Sequence, residues 1–388
     1  MNLEKVQKLL KTNDIDGWLL YDFRGNNSVA CHFLKISAKS LLTRRFFYWI
    51  PQKGEPVKII SCIENPLGSL PGREHQFKSW QEIEPLLQVL LQNLKCIAME
   101  YSPFCALPEI SLVDAGTMDL IRKTGVKVIS SENLLLELNP VWEEAKWQSQ
   151  QEAAHILEEI VKNTRAFVRQ QLKNKISEFD VSQFMLNEMH KKNCLTNHPP
   201  ICAINEHSSN PHYAPEKNKS FEIKEGDWIL LDLWCKKNSP GAVYADITRV
   251  GVIGNRSGSK HQKIFNLVKE AQQKALGFVK ERYENNSPLY GYEVDQAARK
   301  VIVDAGYGDF FLHRTGHNID EEDHGPGTHL DDLETHDTRR LLAGACFSIE
   351  PGIYLKGEFG VRLEYDVYLH PTGRVFVTGG IQEEIHYF

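Results

Sequence analysis

The 388-residue chain lacks three features that would place it in a special class of protein. It has no apolar stretch of the roughly 18 residues that a membrane span needs. Its formal net charge is -6 without a long basic run, which argues against nucleic acid as a partner. Its eight cysteines include no Cys-x-x-Cys pair. The opening Met1-Asn-Leu-Glu-Lys is amphipathic and does not resemble a secretion signal, so we expect a cytoplasmic protein with reduced thiols.

The first 140 residues alternate short apolar runs with helical segments. The runs at residues 16–23, 46–50, 57–61 and 96–100 read as strands, and the segments 3–10 and 83–94 read as helices. This alternation predicts a small α/β domain over residues 1–140. Asn139-Pro140 marks its end, because proline interrupts regular structure.

Residues 141–388 show a different pattern. Apolar residues recur at helical spacing over about 156–168, 259–283 and 293–305, and Gly306 is well placed to end the third helix. Apolar strand runs separated by turn residues lie between and after these helices. The pattern predicts an α+β domain over 141–388, with helices packed on a mostly antiparallel sheet.

One apolar run in this second part contains a carboxylate at its centre. Gly226-Asp-Trp-Ile-Leu-Leu-Asp-Leu-Trp-Cys235 places Asp232 in a strand, and a buried, unpaired carboxylate is costly. Asp246 lies in the next apolar run, beyond the turn signal Asn238-Ser-Pro-Gly. We predict an antiparallel hairpin in which the two aspartates lie roughly opposite each other.

A second segment repeats this arrangement. Glu350 and Glu364 are also fourteen residues apart, with Gly357 midway between them. Like charges opposite each other on paired strands repel. Each carboxylate alone could be solvated at an edge or paired with an arginine such as Arg249 or Arg362. Four together are better explained by divalent cations that some of them bridge.

Histidines lie close to this second carboxylate pair in the sequence. His313, His317 and His324 fall within twelve residues, and His212 lies in the polar loop Asn-Pro-His-Tyr. A single histidine is more often a hydrogen-bonded structural residue, but three so close together favour a site that includes a nitrogen ligand. We interpret His329, His336 and the acidic run 320–323 as surface features.

The order Asp232, Asp246, His317, Glu350, Glu364 resembles the five-ligand dinuclear site of the pita-bread metallopeptidases. The motifs that carry the resemblance are Leu-Leu-Asp-Leu, Tyr-Ala-Asp-Ile-Thr-Arg, His-Arg-Thr-Gly-His, Ser-Ile-Glu-Pro-Gly-Ile-Tyr and Gly-Val-Arg-Leu-Glu. The first 140 residues resemble a creatinase-type N-terminal domain. Together they are similar to the branch that contains Xaa-Pro aminopeptidases and proline dipeptidases, whose catalytic domain packs helices on a curved antiparallel sheet.

The resemblance implies a role for each matching residue. Asp232 would bind one metal, Asp246 and Glu364 would bridge two metals, and His317 and Glu350 would bind the other. Glu350 would also act as general base. The resemblance further implies that His212 and His324 contact substrate and handle protons, and that His313 and Arg362 line the substrate pocket.

The implied activity is hydrolysis of an N-terminal Xaa-Pro peptide bond by a water that bridges two divalent cations. The oxygen-rich ligand set favours Mn²⁺, with Zn²⁺ or Co²⁺ as alternatives. The family implies a peptide substrate and a homodimer. Alternatives are a dinuclear hydrolase of the same fold with a non-proline substrate, a creatinase-like hydrolase of a non-peptide C–N bond, and a binding protein without activity.

Three departures from the family pattern bear on the shape of the pocket. The first hairpin is about three residues longer between its aspartates than is usual. Asn318 follows the ligand histidine where glycine is common, and Tyr365 follows Glu364 where an acidic or amide residue is common. No ligand is lost, so we expect the departures to affect substrate fit more than metal binding.

Overall fold

The computed structural model describes residues 2–37, 39–139 and 141–388. The chain divides into two compact units, Met1–Pro140 and Val141–Phe388. Met1, where the predicted amphipathic opening starts, and Pro140, half of the predicted boundary signal, lie outside the described residues. Each unit has its own buried apolar clusters.

The N-terminal unit is built on one six-stranded mixed sheet with the strand order β4-β3-β2-β1-β5-β6. Its strands are β1 (Gly17–Asp22), β2 (Phe46–Pro51), β3 (Val57–Ser61), β4 (Arg73–Phe77), β5 (Cys96–Met99) and β6 (Lys127–Ser130). Its helices are α1 (Leu3–Thr12), α2 (Ser28–Phe33), α3 (Ile83–Leu91), α4 (Ala115–Arg122) and α5 (Glu132–Leu138), with 3₁₀ turns at Trp80–Glu82, Pro103–Cys105 and Pro108–Ile110.

Helices cover both faces of this sheet, because its strands are apolar on both sides. In β1, Trp18 and Leu20 pack with residues of α1, α2 and α5, whereas Leu19 and Tyr21 pack with residues of α3 and α4. The predicted strands and helices of this region are present. β4 and β6 were missed. Four of the five residues of β4 are exposed, so no apolar alternation marks that strand in the sequence.

A buried carboxylate lies at the centre of the N-terminal unit. Glu100 is fully buried and accepts hydrogen bonds from Trp18 Nε1 (2.7 Å), Asn27 Nδ2 (2.8 Å) and Ser131 Oγ (3.2 Å). Burial raises the pKa of Glu100 to about 7, although these hydrogen bonds oppose the rise. The folded chain therefore holds this proton more tightly than the unfolded chain does.

We expect Glu100→Gln to change how stability depends on pH. In the parent, the contribution of Glu100 is lost as pH rises from about 4.5 to about 7, by at most ~1.4 kcal/mol per pH unit. Glutamine does not ionise, and its altered hydrogen bonds cost the same at every pH. The unfolding free energy of the variant minus that of the parent should therefore rise through this window and be flat outside it. Urea unfolding of both full-length chains from pH 4 to 8 measures the difference, and a difference independent of pH would contradict the prediction.

The C-terminal unit contains three sheets. One has the order β16-β10-β9-β7 with β8 also paired to β9, one has the order β11-β14-β15, and one is the pair β12-β13. The strands are β7 (Cys194–Leu195), β8 (Ile201–Ile204), β9 (Trp228–Lys237), β10 (Ala245–Val252), β11 (Cys346–Ile349), β12 (Gly352–Leu355), β13 (Phe359–Arg362), β14 (Tyr365–His370), β15 (Arg374–Thr378) and β16 (His386–Tyr387). The helices are α6 (Glu144–Gln171), α7 (Glu178–Lys191), α8 (Ser259–Glu284) and α9 (Gly291–Asp304), with 3₁₀ turns at Leu172–Asn174, Asn205–Ser209 and Gly308–Phe310.

The helices of this unit pack on both sides of the long hairpin β9–β10. Ile229, Leu231 and Leu233 of β9 pack with α6 and α7, whereas Trp228 and Leu230 belong to the cluster that contains α8 and α9. The strand pairs are antiparallel apart from the short parallel contact between β10 and β16. The α+β prediction is confirmed. Asp232 falls on the β9 face that Trp228 and Leu230 share, because alternate residues of a strand point the same way.

Candidate metal centre

The first pair of carboxylates lies on one face of the β9–β10 hairpin, but not in the predicted register. Asp232 pairs with Thr248, and Asp246 pairs with Trp234. The aspartates are therefore diagonal neighbours rather than opposite each other. The prediction of opposite aspartates was wrong by two residues, because the turn is centred one residue later than the sequence signal suggested. A shift of two in register keeps both carboxylates on the same face.

The second pair lies where one long hairpin is interrupted. Ile349 pairs with Tyr365 on one side of the gap, and Gly352 pairs with Arg362 on the other. Glu350 and Glu364 thus lie across from each other between the two ladders, outside the strands. The symmetric spacing about Gly357 correctly indicated this arrangement, and Gly357 itself adopts φ 77° in the turn.

Thr248 and Arg362 link the two hairpins. The Thr248 hydroxyl lies 3.1 Å from Asp232 Oδ1 and 2.6 Å from Glu364 Oε2, and it accepts a hydrogen bond from Arg362 Nε at 2.9 Å. Arg362 Nη2 also forms an ion pair with Asp232 Oδ2. All four side chains are buried. Arg362 therefore offsets part of the negative charge and holds Asp232 in place.

His317 presents one ring nitrogen to the carboxylates. Its Nδ1–H donates to the Asn318 carbonyl at 3.3 Å, which leaves the Nε2 lone pair free. Nε2 lies 3.5 Å from Glu350 Oε1 and 3.8 Å from Asp246 Oδ2. Burial lowers the pKa of His317 well below its usual range, so the ring is neutral, the form that binds a metal.

The carboxylates raise one another's pKa values. Burial is the largest cause for each, and the charge of Glu364 further raises the pKa of Asp246 well above its usual range. Glu350 has the same effect on Glu364. Burial raises the pKa of Glu350 to about 7, with Arg362 opposing the rise. Without a cation, the cluster therefore retains protons near neutral pH, and a bound cation would reverse this effect.

Three observations fit the donor set to a divalent metal. One ligand atom from each of Asp246, His317 and Glu364 lies within 4.8 Å of the other two, and in the described part of the chain this is the one group of three that meets that criterion. Ligand atoms around one ion at about 2.1 Å span about 4 Å, close to that separation. Asp246 Oδ1 is buried without a hydrogen-bond partner. The carboxylates supply the oxygen ligands that Mn²⁺ prefers.

The other histidines that were predicted to belong to the site lie around its edge. The His324 ring stacks on His317 with centroids 4.0 Å apart, and its side chain is 64% exposed. His212 is exposed and follows Pro211, whose carbonyl lies 3.5 Å from Arg362 Nη1. Both therefore lie at positions where a substrate could contact them.

His313 is differently placed, because both of its ring nitrogens already have protein partners. Nδ1 donates to the Arg314 carbonyl at 2.6 Å, so Nε2 accepts from the Tyr354 hydroxyl at 2.7 Å. Tyr354 in turn accepts from Arg362 Nη1 at 3.1 Å. Burial and the charge of Arg362 lower the pKa of His313 to about 3. A neutral His313 thus extends the hydrogen-bonded chain from Asp232 through Arg362 and Tyr354.

Of the surface assignments from the sequence, His329 was wrong and the acidic run 320–323 was half right, because Glu321 and Glu322 are exposed but its two ends are not. His329 is buried, and its Nδ1 accepts from Asn318 N at 3.0 Å. Asp320 and Asp323, the ends of the acidic run, are each only 9% exposed. Asp320 pairs with Lys146 at 3.0 Å, whereas Asp323 Oδ1 has no hydrogen-bond partner. His336 is exposed, as expected.

The departure at Asn318 is accommodated by two glycines. Asn318 Nδ2 donates to the Cys346 carbonyl at 2.9 Å, and its Oδ1 accepts from Gly327 N at 3.0 Å. A Cβ at Gly325 or Gly327 would lie 2.3 or 2.5 Å from the Asn318 side chain. The larger residue at 318 therefore depends on the absence of side chains at 325 and 327. A second departure, Tyr365, is buried in the apolar core beside α8.

The sequence reasoning missed three residues that support the site. Thr248 and Asp366 each lie two residues after a predicted ligand, so strand alternation could have identified both. Asp366 is fully buried, and its Oδ2 accepts from Asp246 N at 3.0 Å. Tyr354 lies on β12 and ends the motif Ser-Ile-Glu-Pro-Gly-Ile-Tyr, but it was given no role, because a tyrosine in an apolar strand reads as core.

The comparison that decides the family covers most of the C-terminal unit. Residues 148–371 match the model of metallopeptidase family M24. The chain belongs to this family. As an M24 metallopeptidase family member, it is similar in structure to dipeptidase PepE from Mycobacterium ulcerans (TM-score 0.70, 20% identity, 99% of this chain and 96% of that chain). It is also similar to an Xaa-Pro dipeptidase from Bacillus anthracis (TM-score 0.63, 22% identity, 100% and 99%). These likenesses confirm the pita-bread fold with an N-terminal domain.

Relatives in sequence are distant. A putative Xaa-Pro aminopeptidase of Mycoplasma genitalium is 28% identical over 229 residues, 58% of this chain and 59% of that protein. An uncharacterized peptidase of Staphylococcus saprophyticus is 29% identical over 206 residues, 52% of this chain and 51% of that protein. The M24 member thus spans about half the length of these curated relatives. Among its described helices, none is both long and apolar enough to cross a membrane.

Proposed function

We propose that this M24 member hydrolyses N-terminal Xaa-Pro peptide bonds with two divalent cations held by Asp232, Asp246, His317, Glu350 and Glu364. The observation that carries the proposal is the convergence of Asp246, His317 and Glu364 within 4.8 Å, with a buried Asp246 oxygen that has no partner. A solved Xaa-Pro dipeptidase shares the fold, and a sequence relative bears the name putative Xaa-Pro aminopeptidase. We further propose Mn²⁺ as the metal and a homodimer as the assembly.

Hydrolysis adds hydroxide to the scissile carbonyl carbon and a proton to the leaving nitrogen. When bound, the cations would make a shared water acidic and polarise the scissile carbonyl. Glu350 accepts the proton of the attacking water, and it can deliver that proton to the proline nitrogen as the C–N bond breaks. Ser348 Oγ donates to Glu350 Oε1 at 3.0 Å and so orients the carboxylate.

The residues around the cluster complete the site. His212 and His324 are exposed at its edge, and either ring can donate a hydrogen bond to the substrate carbonyl oxygen. Arg362 holds Asp232, while Tyr354 and His313 hold Arg362. Proline lacks an N–H and has a fixed φ, so a pocket for it must recognise ring shape rather than an amide donor.

The test is a peptide panel with the Mn²⁺-loaded protein. Ala-Pro and Ala-Pro-Ala should be cleaved and Ala-Ala-Ala should not. The ratio of the cleavage rates of the first two peptides distinguishes a dipeptidase from an aminopeptidase.

Glu350→Gln should lower kcat on the cleaved peptides by about 10²–10⁴-fold, as loss of a general base does. Glu358→Gln, which alters an exposed glutamate paired with Lys260, is the matched control and should retain full activity. Cleavage of no proline peptide by protein shown to hold two metals would overturn the proposal.

A second candidate is a metallohydrolase of the same fold with a non-proline substrate. Asp323 favours it, because a buried carboxylate with an unpartnered oxygen next to His324 offers an acceptor for a cationic group, which a proline ring lacks. Cleavage of Ala-Lys-Ala ahead of Ala-Pro-Ala in the same panel would identify this candidate. A creatinase-like reaction without metal would leave the buried donor set of Asp246, His317 and Glu364 without a role.

A further inference from the structure

One carboxylate outside the metal centre gathers an unusual number of hydrogen bonds. Glu178, the first residue of α7, is fully buried. Its Oε1 accepts from Ile204 N at 2.7 Å, and its Oε2 accepts from Phe221 N at 2.8 Å and from the Tyr213 hydroxyl at 2.7 Å. His207 Nδ1 lies 2.9–3.0 Å from both oxygens.

These partners all belong to one loop. Ile204 and Phe221 lie at its two ends, and the other partners lie within it, so a single carboxylate closes the segment 204–221. The rings inside the loop also stack, with His207 3.8 Å from Phe221 and 4.4 Å from Tyr213 between centroids. A capping box between Ser177 and Asp180 starts α7 and fixes the backbone at Glu178.

The same loop is attached to the strands that carry the metal centre. Ser208 Oγ accepts from Gly360 N at 2.8 Å, and a Cβ at Gly360 would lie only 2.0 Å from the Ser208 carbonyl. Asn205 Oδ1 accepts from Trp228 N at 3.0 Å, at the start of β9. Because of these contacts, a shift of the loop would also displace β9 and β13.

The loop carries His212, next to Tyr213. The His212 side chain is exposed, and no hydrogen bond or ring stacking with another described residue holds its ring. Its backbone N–H donates to Asn210 Oδ1 at 3.0 Å, and the carbonyl of the preceding Pro211 lies 3.5 Å from Arg362 Nη1. Its distance from the metal centre is therefore set by the loop. Loss of the Glu178 acceptors would leave buried donors unsatisfied, which a folded loop does not tolerate at low cost.

We propose that Glu178 is a positioning residue that holds His212 at the metal centre. The proposal rests on the proposed function, in which His212 contacts the substrate carbonyl. Glu178 touches neither substrate nor metal. It acts by fixing both ends of segment 204–221 and the hydroxyl of the residue that follows His212.

Glu178→Gln tests this with little change in size. The amide nitrogen would face the N–H of either Ile204 or Phe221, whichever way the amide is turned. We expect amide hydrogen exchange in 204–221 to become about tenfold faster or more, because buried acceptors are lost. We expect kcat on the cleaved proline peptide to fall by up to about 10²-fold, the effect of a small misplacement of a catalytic group. Metal content should stay at that of the parent.

Two further variants separate positioning from general damage. Tyr213→Phe removes one hydroxyl and keeps the ring stack, so it should give smaller changes of the same kind. Glu188→Gln lies on the same helix, where Glu188 pairs with Lys191, and should change neither exchange nor kcat. If Glu178 acts through His212, then Glu178→Gln should lower kcat little further in a His212→Ala background.

The proposal would be overturned if Glu178→Gln left amide hydrogen exchange in 204–221 unchanged. It would also be overturned if the fall in kcat of the double variant equalled the product of the falls caused by Glu178→Gln and His212→Ala alone. Loss of metal together with kcat would overturn it as well, because it would show a general structural role. Amide hydrogen exchange is measured without any substrate. A parent that cleaves no proline peptide would therefore overturn the proposed function, while the exchange result would still decide whether Glu178 fixes the loop.

Discussion

Asp246→Asn should leave the protein with neither metal ion and with no measurable peptide hydrolysis. Asp246 is one of the three side chains whose ligand atoms converge within 4.8 Å, and we propose that it bridges both ions. An asparagine offers one neutral oxygen in place of two charged ones, so neither ion keeps its ligand set. The loss of metal affinity should exceed the roughly 10–100-fold loss that follows removal of a residue that only supports a ligand.

Metal analysis after gel filtration measures this directly. Asp304→Asn, which changes an exposed aspartate at the end of α9, is the matched control and should keep both metals. Without metal, the variant should be more stable than the parent. Burial and the charge of Glu364 raise the pKa of Asp246 well above its usual range, so the metal-free parent must take up a proton there when it folds at neutral pH. Asparagine does not ionise, so metal-free Asp246→Asn should unfold at a higher temperature than the metal-free parent. Two metals per chain in the variant would contradict the assignment of Asp246.

Chelation should reverse the direction in which stability changes with pH. In the metal-free protein, Asp246 and Glu364 have pKa values well above their usual range and Glu350 has a pKa of about 7. The folded chain then binds more protons than the unfolded chain, so stability falls as pH rises from about 4.5 through 7. In the loaded protein the ions favour the ionised carboxylates, so stability should rise over the same range.

The expected difference is large, because several protons are involved and each contributes up to ~1.4 kcal/mol per pH unit. At neutral pH, metal at about 1,000 times its dissociation constant would add ~4 kcal/mol for each site. Urea unfolding with saturating Mn²⁺ and with chelator, from pH 5 to 8, measures both slopes. Glu100 contributes equally to the two slopes and cancels in the comparison. Parallel slopes would show that the cluster does not hold metal.

The sequence allowed prediction of which carboxylates converge, but not how their strands align. The spacing of Glu350 and Glu364 about Gly357 predicted their opposition correctly, because the two flanking ladders share one register. The same reasoning failed by two residues for Asp232 and Asp246. A turn of several residues permits more than one register, and packing on both faces of β9 makes the final choice.

Contacts between distant segments were beyond sequence reasoning. Thr248 bridges β10 to Glu364 across 116 positions, and Glu178 reaches a loop that ends at Phe221. Strand alternation could have placed Thr248 on the ligand face, but no local pattern identifies Glu364 as its partner or the loop as the partner of Glu178. His329 was misassigned for the same reason, since its burial depends on the fold of the loop around Asn318. Periodicity reports one element at a time, whereas these contacts depend on how elements pack.

The contact between Asn318 and the glycines at 325 and 327 constrains the routes by which this loop can evolve. A side chain at 327 while asparagine remains at 318 would force two groups to within 2.5 Å, whereas glycine at 318 would remove that conflict. Replacement at 318 must therefore come first, and the reverse order passes through a protein that folds poorly. Recombination that brings in a side chain at 327 from a relative should then succeed only when the exchanged fragment also replaces Asn318 with glycine.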